Sequence, residues 1–212
     1  MIIAIASGKG GTGKTTIAVN LALAADGPIQ LFDCDVEAPN CRLFLTSGPE
    51  LTEAVSIRVP RVDPSRCDGC GECGRFCQYN AIACIKDKAL FFNELCHACG
   101  GCARVCPRNA IREEDRRTGV IETMEAGHVV LTQGRLDIGV AMAPPLIRAV
   151  KARIRPDSVT IVDAPPGTSC PAAAAIRGAS VAVLVTEPTP FGLHDLSLAV
   201  DMARTMGMPL GV

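Results

Sequence analysis

The sequence predicts an α/β fold, a doubly wound and mostly parallel sheet, interrupted by a cysteine-rich insertion. Three observations carry this prediction: a short apolar run at Ile2–Ala6 leads into a glycine-rich loop and a helical pattern, later apolar runs end in acids, and the composition changes abruptly in mid-chain. Buried parallel strands are near-continuous apolar runs, and ligand-binding groups follow their carboxyl ends. We therefore expect a discontinuous main domain at 1–60 and 118–212 and a separate insertion at 61–117.

Composition narrows the functional class. The 212 residues carry a formal net charge of -1 and only 3% aromatic residues, which argues against nucleic-acid binding. The apolar start is short and lacks a basic leader, and no apolar run is long enough to span a membrane. We expect a cytoplasmic protein, in which the 12 cysteines are reduced thiols or metal ligands rather than disulfides.

The glycine-rich segment after the first strand satisfies the pattern G-x-x-x-x-G-K-[ST]. Glycines let backbone N–H groups close around phosphate oxygens, and the following helix N-terminus favours negative charge. Lys14 should reach the β- and γ-phosphates, and the Thr15 hydroxyl should hold Mg²⁺. An ordinary glycine turn is the alternative, but the preceding strand and following helix favour a phosphate loop. The predicted nucleotide contacts in the loop are Gly8, Lys9, Gly10, Gly11, Thr12, Gly13, Lys14, Thr15 and Thr16.

Acids mark two further strand ends. One apolar run ends at Asp33 and Asp35, and another ends at Asp163, just before a Pro-Pro-Gly segment that contains Pro166 and Gly167. Such acids could simply belong to solvated turns. Together with the upstream loop, they predict that Asp163 holds the Mg²⁺ shell through water, that Asp33 supports it, and that Pro166 and Gly167 respond to the γ-phosphate.

The insertion contains two copies of one cysteine spacing, C-x2-C-x2-C-x3-C, 29 residues apart, and Asn-Ala-Ile follows each copy. This repetition indicates an internal duplication. Small or turn-forming residues separate the cysteines, so three thiols of each run can surround one face of an iron-sulfur cubane. Zinc is the alternative, because C-x2-C pairs also build tetrahedral sites. The runs are Cys67, Cys70, Cys73 and Cys77, then Cys96, Cys99, Cys102 and Cys106.

Four cysteines lie outside the runs. We interpret Cys34, Cys41 and Cys84 as small packing residues. Cys170 follows Asp163 by seven residues, and both a packing role and a role in coupling or partner contact stay open for it.

The loop KGGTGKT has a second lysine, Lys9, and resembles the deviant Walker A loop of the MinD, ParA, Mrp and nitrogenase iron protein class. The cysteine runs resemble a bacterial two-cluster ferredoxin. The chain as a whole resembles MinD-superfamily ATPases with an inserted two-cluster ferredoxin domain. This resemblance implies a P-loop NTPase domain, an inserted α+β ferredoxin-like module, and ATP, Mg²⁺ and two [4Fe-4S] clusters as cofactors. It also implies C-terminal truncation, because relatives continue past the strand that begins near Pro209 with residues that read adenine.

The resemblance assigns roles to individual residues. Lys9 would reach the partner subunit's nucleotide, so ATP would drive dimerisation, and Asp35 would belong to switch I and orient the attacking water. The implied catalytic residues are Lys9, Lys14, Asp35 and Asp163. The fourth cysteine of each run ligates the other cluster in such folds, so one cluster would take Cys67, Cys70, Cys73 and Cys106, and the other Cys96, Cys99, Cys102 and Cys77.

The implied function is an ATPase that works as a nucleotide-gated electron carrier. The alternatives are an iron-sulfur cluster assembly or transfer ATPase of the Mrp type, which Cys170 keeps open, and a MinD-like positioning ATPase. The expected partners are a second copy or a close homologue, together with a redox partner protein or an Fe-S acceptor. No nucleic acid is expected, and membrane contact stays open.

Overall fold

A computed structural model of the chain describes residues 1–46, 48 and 50–212. Its strands are β1 (Ile2–Ala6), β2 (Ile29–Asp33), β3 (Glu50–Val62), β4 (Ile82–Ile85), β5 (Lys88–Phe91), β6 (Ile111–Ala126), β7 (Val129–Leu136), β8 (Val159–Asp163), β9 (Val181–Leu184) and β10 (Leu210–Gly211). Its helices are α1 (Lys14–Ala24), α2 (Glu72–Phe76), α3 (Gly101–Val105), α4 (Ala143–Lys151), α5 (Cys170–Ile176) and α6 (Pro190–Thr205). Short 3₁₀ helices cover Cys41–Phe44 and Asn93–Leu95.

Eight strands form one sheet in the order β10-β9-β1-β8-β2-β7-β6-β3. The strands from β10 to β7 are parallel to one another, and β6 is antiparallel to β7. This order confirms the predicted mostly parallel α/β sheet. Pro60 lies in β3 at one end of the order, where an edge strand tolerates a residue that cannot donate to a ladder.

The three central strands are apolar because both of their faces are covered. The side chains of Ile5, Leu31 and Ile161 lie in one buried cluster with residues of α1, and Phe32 and Val162 are equally buried on these strands. Burying a side chain of this size stabilises the fold by about 1.5–3 kcal/mol.

Parallel pairing places the functional loops at one edge of the sheet. Ile5 is in register with Asp163, and Asp163 is in register with Asp33. The residues after β1, β2 and β8 therefore meet at the carboxyl ends of neighbouring strands, where open α/β sheets bind ligands.

The chain divides into two compact units. The nucleotide unit, as we name it, comprises Met1–Ala54, Gly119–Leu136 and Ala143–Val212, and the cysteine unit comprises Val55–Thr118 and Asp137–Met142. The predicted insertion, 61–117, lies within the cysteine unit, which contains α2, α3 and the antiparallel β4–β5 hairpin. None of the helices in the described ranges is both long and apolar enough to cross a lipid bilayer.

Candidate functional site

The glycine loop between β1 and α1 has the backbone geometry that its residue types predict. Gly11 and Gly13 adopt φ angles of 81° and 91°, a region that favours glycine. Gly8 approaches another segment closely: a Cβ there would lie 2.0 Å from the backbone oxygen of Asp195. The loop therefore requires glycine at these positions for shape. All of the predicted nucleotide contacts lie between the end of β1 and the first turn of α1. They are Gly8, Lys9, Gly10, Gly11, Thr12, Gly13, Lys14, Thr15 and Thr16.

Lys14 begins α1, and only 7% of its surface is exposed. Burial lowers the pKa of its ammonium group, while the nearby carboxyls of Asp163 and Asp35 act to raise that pKa. A buried ammonium group with carboxyls nearby provides a positive charge for phosphate oxygens.

Thr15 and Asp163 meet directly. The Thr15 hydroxyl donates to Asp163 Oδ2 at 2.6 Å, and burial raises the pKa of the Asp163 carboxyl. Within the described ranges, Asp163 Oδ1 and Thr12 Oγ1 are buried without a hydrogen-bond partner. Buried polar atoms are normally satisfied, so these two atoms fit a site completed by a Mg²⁺ shell and a phosphate group.

Asp33 is fully buried and organises the loop that follows it. Its Oδ1 accepts from the Asp35 backbone N–H at 3.0 Å, and its Oδ2 accepts from Asn40 and Cys41 at 2.9 and 3.0 Å. Burial raises its pKa to about 6, against the lowering effect of these three donors. These hydrogen bonds give Asp33 a structural role in shaping the loop. That role is compatible with its predicted support of the Mg²⁺ shell.

Asp35 is half-buried at the start of this loop. Burial raises its pKa to about 6, the charge of Asp33 adds to the shift, and Lys14 opposes it. Asp35 lines a cavity with Pro165 and Pro166 of the segment after β8. A carboxyl that ionises close to neutral pH beside a cavity can accept a proton or orient a water molecule.

The Pro-Pro-Gly segment after β8 contacts the glycine loop through its backbone. Gly167 adopts a φ of 87°, and its N–H donates to the Ser7 carbonyl at 3.0 Å. The predicted responsive residues Pro166 and Gly167 therefore lie beside the loop that they are expected to sense.

Lys9 is half-buried and forms an ion pair with Glu187, which lies between β9 and α6. The hydrogen bond from Lys9 lowers the pKa of the Glu187 carboxyl. No local pattern predicted this partner, because the two residues are 178 positions apart.

Two cavities in the cysteine unit sort the eight run cysteines into two sets of four. Their empty volumes, which include space that is open to solvent, are about 340 and 530 Å³. We name the two cavities the first and the second cavity. The first is lined by Cys67, Cys70, Cys73 and Cys106, and the second by Cys77, Cys96, Cys99 and Cys102. Each run thus supplies three thiols to one cavity and its last thiol to the other.

The backbone around both cavities repeats the same unusual conformations. Gly71 and Gly100 precede α2 and α3 with φ angles of 82° and 69°, and Asn80 and Asn109 adopt 53° and 46°. The Cys106 thiol also accepts a backbone N–H from Ala110 at 3.3 Å. Non-glycine residues with positive φ are uncommon, so their repetition at a 29-residue offset supports a real structural duplication.

The thiol separations bear on which metal group fits. Thiols around a single zinc ion, about 2.3 Å from the metal, lie about 3.8 Å from one another. Among the residues that the structure describes, the only group of three or more potential ligands whose atoms all lie within 4.8 Å is Asp33, Cys41 and Asp163. Four thiols around a wider opening fit a polynuclear group with Cys₄ ligation better than one zinc ion.

Cys84 is the residue of the cysteine unit whose position the sequence reasoning missed. The sequence indicates a packing residue, but Cys84 lines the first cavity, with its Sγ 3.6 Å from where a Cβ of Gly74, the residue after Cys73, would be. Cys34 is fully buried, in agreement with packing, whereas Cys41 is buried with its Sγ 3.5 Å from Asp163 Oδ2. Cys170 is exposed as the first residue of α5.

Comparison with known sequences places the chain among nucleotide-binding proteins. The family model of the CobQ/CobB/MinD/ParA nucleotide binding domain matches residues 3–209. Two uncharacterised proteins of Methanocaldococcus jannaschii match at length: one is 35% identical over 92% of this chain and 70% of the relative, and the other is 29% identical over 99% and 77%. The iron-sulfur cluster carrier protein of Synechocystis is 49% identical over 47 residues, 21% of this chain and 13% of that protein.

Solved structures give the same fold. The septum site-determining protein MinD of Pyrococcus horikoshii, complexed with Mg-ADP, aligns with a TM-score of 0.52 and 22% identity over 99% of this chain and 67% of its own. The cell division ATPase MinD of Pyrococcus furiosus aligns with a TM-score of 0.51 and 22% identity over 99% and 68%. At this identity, the likeness concerns the fold alone. The family match covers nearly the whole chain, and the chain therefore belongs to the CobQ/CobB/MinD/ParA nucleotide-binding domain family.

Proposed function

We propose that this protein is an ATP-hydrolysing iron-sulfur protein that works as a nucleotide-gated electron carrier. The observation that carries the proposal is the pair of cavities, each lined by four of the eight run cysteines, in the same chain as a phosphate loop. ATP, Mg²⁺ and two [4Fe-4S] clusters are the cofactors that this combination requires. Dimerisation driven by ATP would control when the clusters meet their redox partner.

The nucleotide part of the proposal rests on the buried charges of the loop. Lys14 would bind the β- and γ-phosphates, and Thr15 and Asp163 would hold Mg²⁺. The Thr15 hydroxyl and the Asp163 carboxylate already lie in contact, and Asp163 Oδ1 has no hydrogen-bond partner within the described ranges, so both residues are available to hold the Mg²⁺ shell.

Hydrolysis would depend on Asp35, which would orient the attacking water. Its half-buried position and its raised pKa fit this role, because the carboxyl is ionised and available to accept a hydrogen bond above about pH 6. Pro166 lines the same cavity as Asp35. Loss of the γ-phosphate would therefore change the surroundings of the segment after β8.

Coupling between copies of the chain would depend on Lys9. In a dimer with a second copy or with a close homologue, Lys9 would reach the partner's phosphates. It cannot do so while its ammonium group pairs with Glu187 of its own chain. Exchange of Glu187 for a phosphate would then be part of dimer formation.

The clusters would supply one-electron transfer, and the thiol sets define their ligands. Cys67, Cys70, Cys73 and Cys106 would hold one cluster, and Cys77, Cys96, Cys99 and Cys102 the other. Anaerobic iron analysis should give about eight Fe per chain. Two or fewer irons, with zinc in their place, would overturn the iron-sulfur assignment.

Gating is tested by anaerobic EPR of the reduced protein with and without MgATP. We expect MgATP to change the signal or the potential of the wild-type protein and to leave Lys14→Ala unchanged, because that variant lacks the phosphate-binding cation. Lys88→Ala, which removes an exposed lysine of β5, should behave like the wild type. If the wild type hydrolyses ATP normally but its EPR signal does not change with MgATP, nucleotide binding and the clusters are not coupled.

A second candidate function is iron-sulfur cluster transfer, favoured by the 47-residue likeness to the Synechocystis carrier protein and by the exposed thiol of Cys170. Incubation with an apo acceptor distinguishes the two: a carrier protein loses iron to the acceptor, whereas an electron carrier keeps its eight irons. A third, MinD-like positioning, is favoured by the fold of the two Pyrococcus proteins. MgATP-dependent sedimentation with anionic lipid vesicles would favour it.

A further inference from the structure

The duplication in the cysteine unit extends to side chains around the cavities. Asp68 and His97 occupy equivalent positions, each just after the first cysteine of its run, and so do Tyr79 and Arg108, each two residues after the last cysteine. Arg108 Nε donates to Asp68 Oδ2 at 2.7 Å beside the first cavity. The rings of Tyr79 and His97 stack with centroids 3.5 Å apart beside the second. Residues 29 positions apart thus make equivalent contacts with different chemistry.

Cys84 and Glu113 form another such pair, and each faces its cavity. Cys84 lines the first cavity, and its Sγ lies 3.6 Å from where a Cβ of Gly74, the residue after Cys73, would be. Glu113 lines the second cavity, and its Oε1 lies 3.3 Å from where a Cβ of Gly100 would be. Gly100 follows Cys99 directly, so the carboxylate lies close to a predicted ligand loop.

Most other charges near the cavities have counter-charges. Beside the first cavity, Arg108 pairs with Asp68, and Arg75 pairs with Glu72 at 2.6 Å. Beside the second, Arg58 lies 3.6 Å from Asp115 and donates to the backbone oxygen of Glu113. Over the ranges that the structure describes, the carboxylate of Glu113 has no ion-pair or hydrogen-bond partner of its own.

We propose that Cys84 and Glu113 give the two clusters different reduction potentials, so that the cluster in the first cavity accepts an electron more readily. This inference rests on the proposed function, because it requires a [4Fe-4S] cluster in each cavity. It makes the cysteine unit directional: the electron resides in the first cavity when the unit carries one electron.

The physical argument concerns the charge that one electron adds. Cluster potentials depend on net charge and on hydrogen bonds to the ligand sulfurs. Cys84 lines the same cavity as Cys73, and its S–H is a weak donor that can stabilise the added charge, whereas the Glu113 carboxylate repels it. In transfer between the cavities, the second cluster loses one electron, the first gains it, and no proton or bond changes place. A one-electron reductant supplies the electron.

The test is an anaerobic redox titration with dithionite, followed by EPR, after iron analysis has shown eight Fe per chain. We expect two resolved one-electron steps in the wild type. Glu113→Gln should raise only the lower step, by about a tenfold change in the equilibrium constant, which is 59 mV for one electron. Glu114→Gln removes an exposed neighbouring acid that pairs with Arg61 and should leave both steps unchanged.

The Cys84 variants test the other position. Cys84→Ala should lower only the upper step, and Cys84→Ser, which keeps a donor, should leave that step closer to its wild-type value. Coincident wild-type potentials with eight irons, or a shift of both steps together in Glu113→Gln, would overturn this inference and leave the proposed function standing. Fewer than eight irons in the wild type would overturn this inference, and two or fewer irons, with zinc in their place, would overturn the proposed function as well.

Discussion

The two compact units are stabilised in different ways. The nucleotide unit has a large aliphatic core in which Leu31, Leu131 and Ile161 are almost completely buried. The buried cluster of the cysteine unit consists of Cys73, Ile82, Ala89, Cys102 and Ile111, and two of these five are predicted cluster ligands. One unit therefore has a core that is independent of any ligand, and the other has a core built around its binding groups.

The charged residues of the two units also differ in their burial. In the nucleotide unit, Lys14 and Asp163 are buried and lie at the predicted site. In the cysteine unit, ion pairs such as Arg61–Glu114 are exposed, and exposed pairs contribute about 0–1 kcal/mol each.

Small domains of the size of the cysteine unit usually need metal or covalent links for stability. Folding and metal binding should therefore be coupled in the cysteine unit and separable in the nucleotide unit.

Removal of iron should have the largest effect. We expect an anaerobic chelator to abolish amide hydrogen-exchange protection across the cysteine unit while protection of β1, β2 and β8 persists. Removal of Mg²⁺ with EDTA in the absence of nucleotide serves as the control and should leave both units protected. Persistent protection of the cysteine unit after complete iron loss would contradict a ligand-dependent core.

Loss of the Asp35 carboxylate should affect activity without affecting either core. Asp35→Asn is expected to lower ATP turnover by about 10²- to 10⁴-fold, the usual contribution of a positioned acid-base group, with ATP affinity and iron content retained. Steady-state hydrolysis, nucleotide titration and iron analysis check the three parts. Asp157→Asn, which alters an exposed acid in the same unit, is the matched control and should hydrolyse ATP normally.

The pH dependence of hydrolysis should reveal the same carboxyl. Its pKa is raised to about 6 in the nucleotide-free protein, and the ionised form is the active one, so activity is present above this pH and lost as the pH falls through it. Below about pH 6, kcat/KM should decrease about tenfold per pH unit, since kcat/KM reports ionisations of the free enzyme. If kcat/KM stays constant down to pH 5, Asp35 is not the group that titrates. The Asp35→Asn variant should not show the decrease of kcat/KM below about pH 6.

A helix cap in the nucleotide unit should have the smallest effect. The Thr189 side chain accepts from the Gly192 N–H at 3.0 Å at the start of α6. Thr189→Ala should cost about 1 kcal/mol and lower the unfolding temperature of the nucleotide unit by about 2–4 °C. Iron content should not change. Thr205→Ala, at the last residue of α6, is the control. If it lowers the unfolding temperature as much as Thr189→Ala does, the capping role of Thr189 is contradicted.

Several features of the nucleotide unit could be predicted from the sequence because their signals are local. The strand, glycine loop and helix are contiguous, and the acids at Asp33 and Asp163 follow apolar runs. Parallel pairing then brings these strand ends together. The partner of Lys9 could not be predicted in this way, because Glu187 approaches only through the order of strands in the sheet.

The cysteine unit shows a different limit of prediction. Its two thiol sets were expected from the resemblance of the cysteine runs to a two-cluster ferredoxin, but β3 and β6 were not recognised as strands. The alternation of Val55, Ile57 and Val59 is typical of a half-buried strand and could have revealed β3. β6 begins with a highly charged stretch, which is mostly exposed or half-buried. Cys84 was missed because the duplication places Glu113, not cysteine, at its equivalent position.

The crossed supply of thiols has a consequence for the ancestry of the cysteine unit. A single ancestral copy of the repeat would carry three thiols for one cavity and one for another, so it could complete neither cavity alone. Two identical copies that associated around a twofold axis would complete both cavities at once. The tandem arrangement joins such a pair in one chain, and only then could the two halves diverge independently, as Asp68 and Arg108 have from His97 and Tyr79.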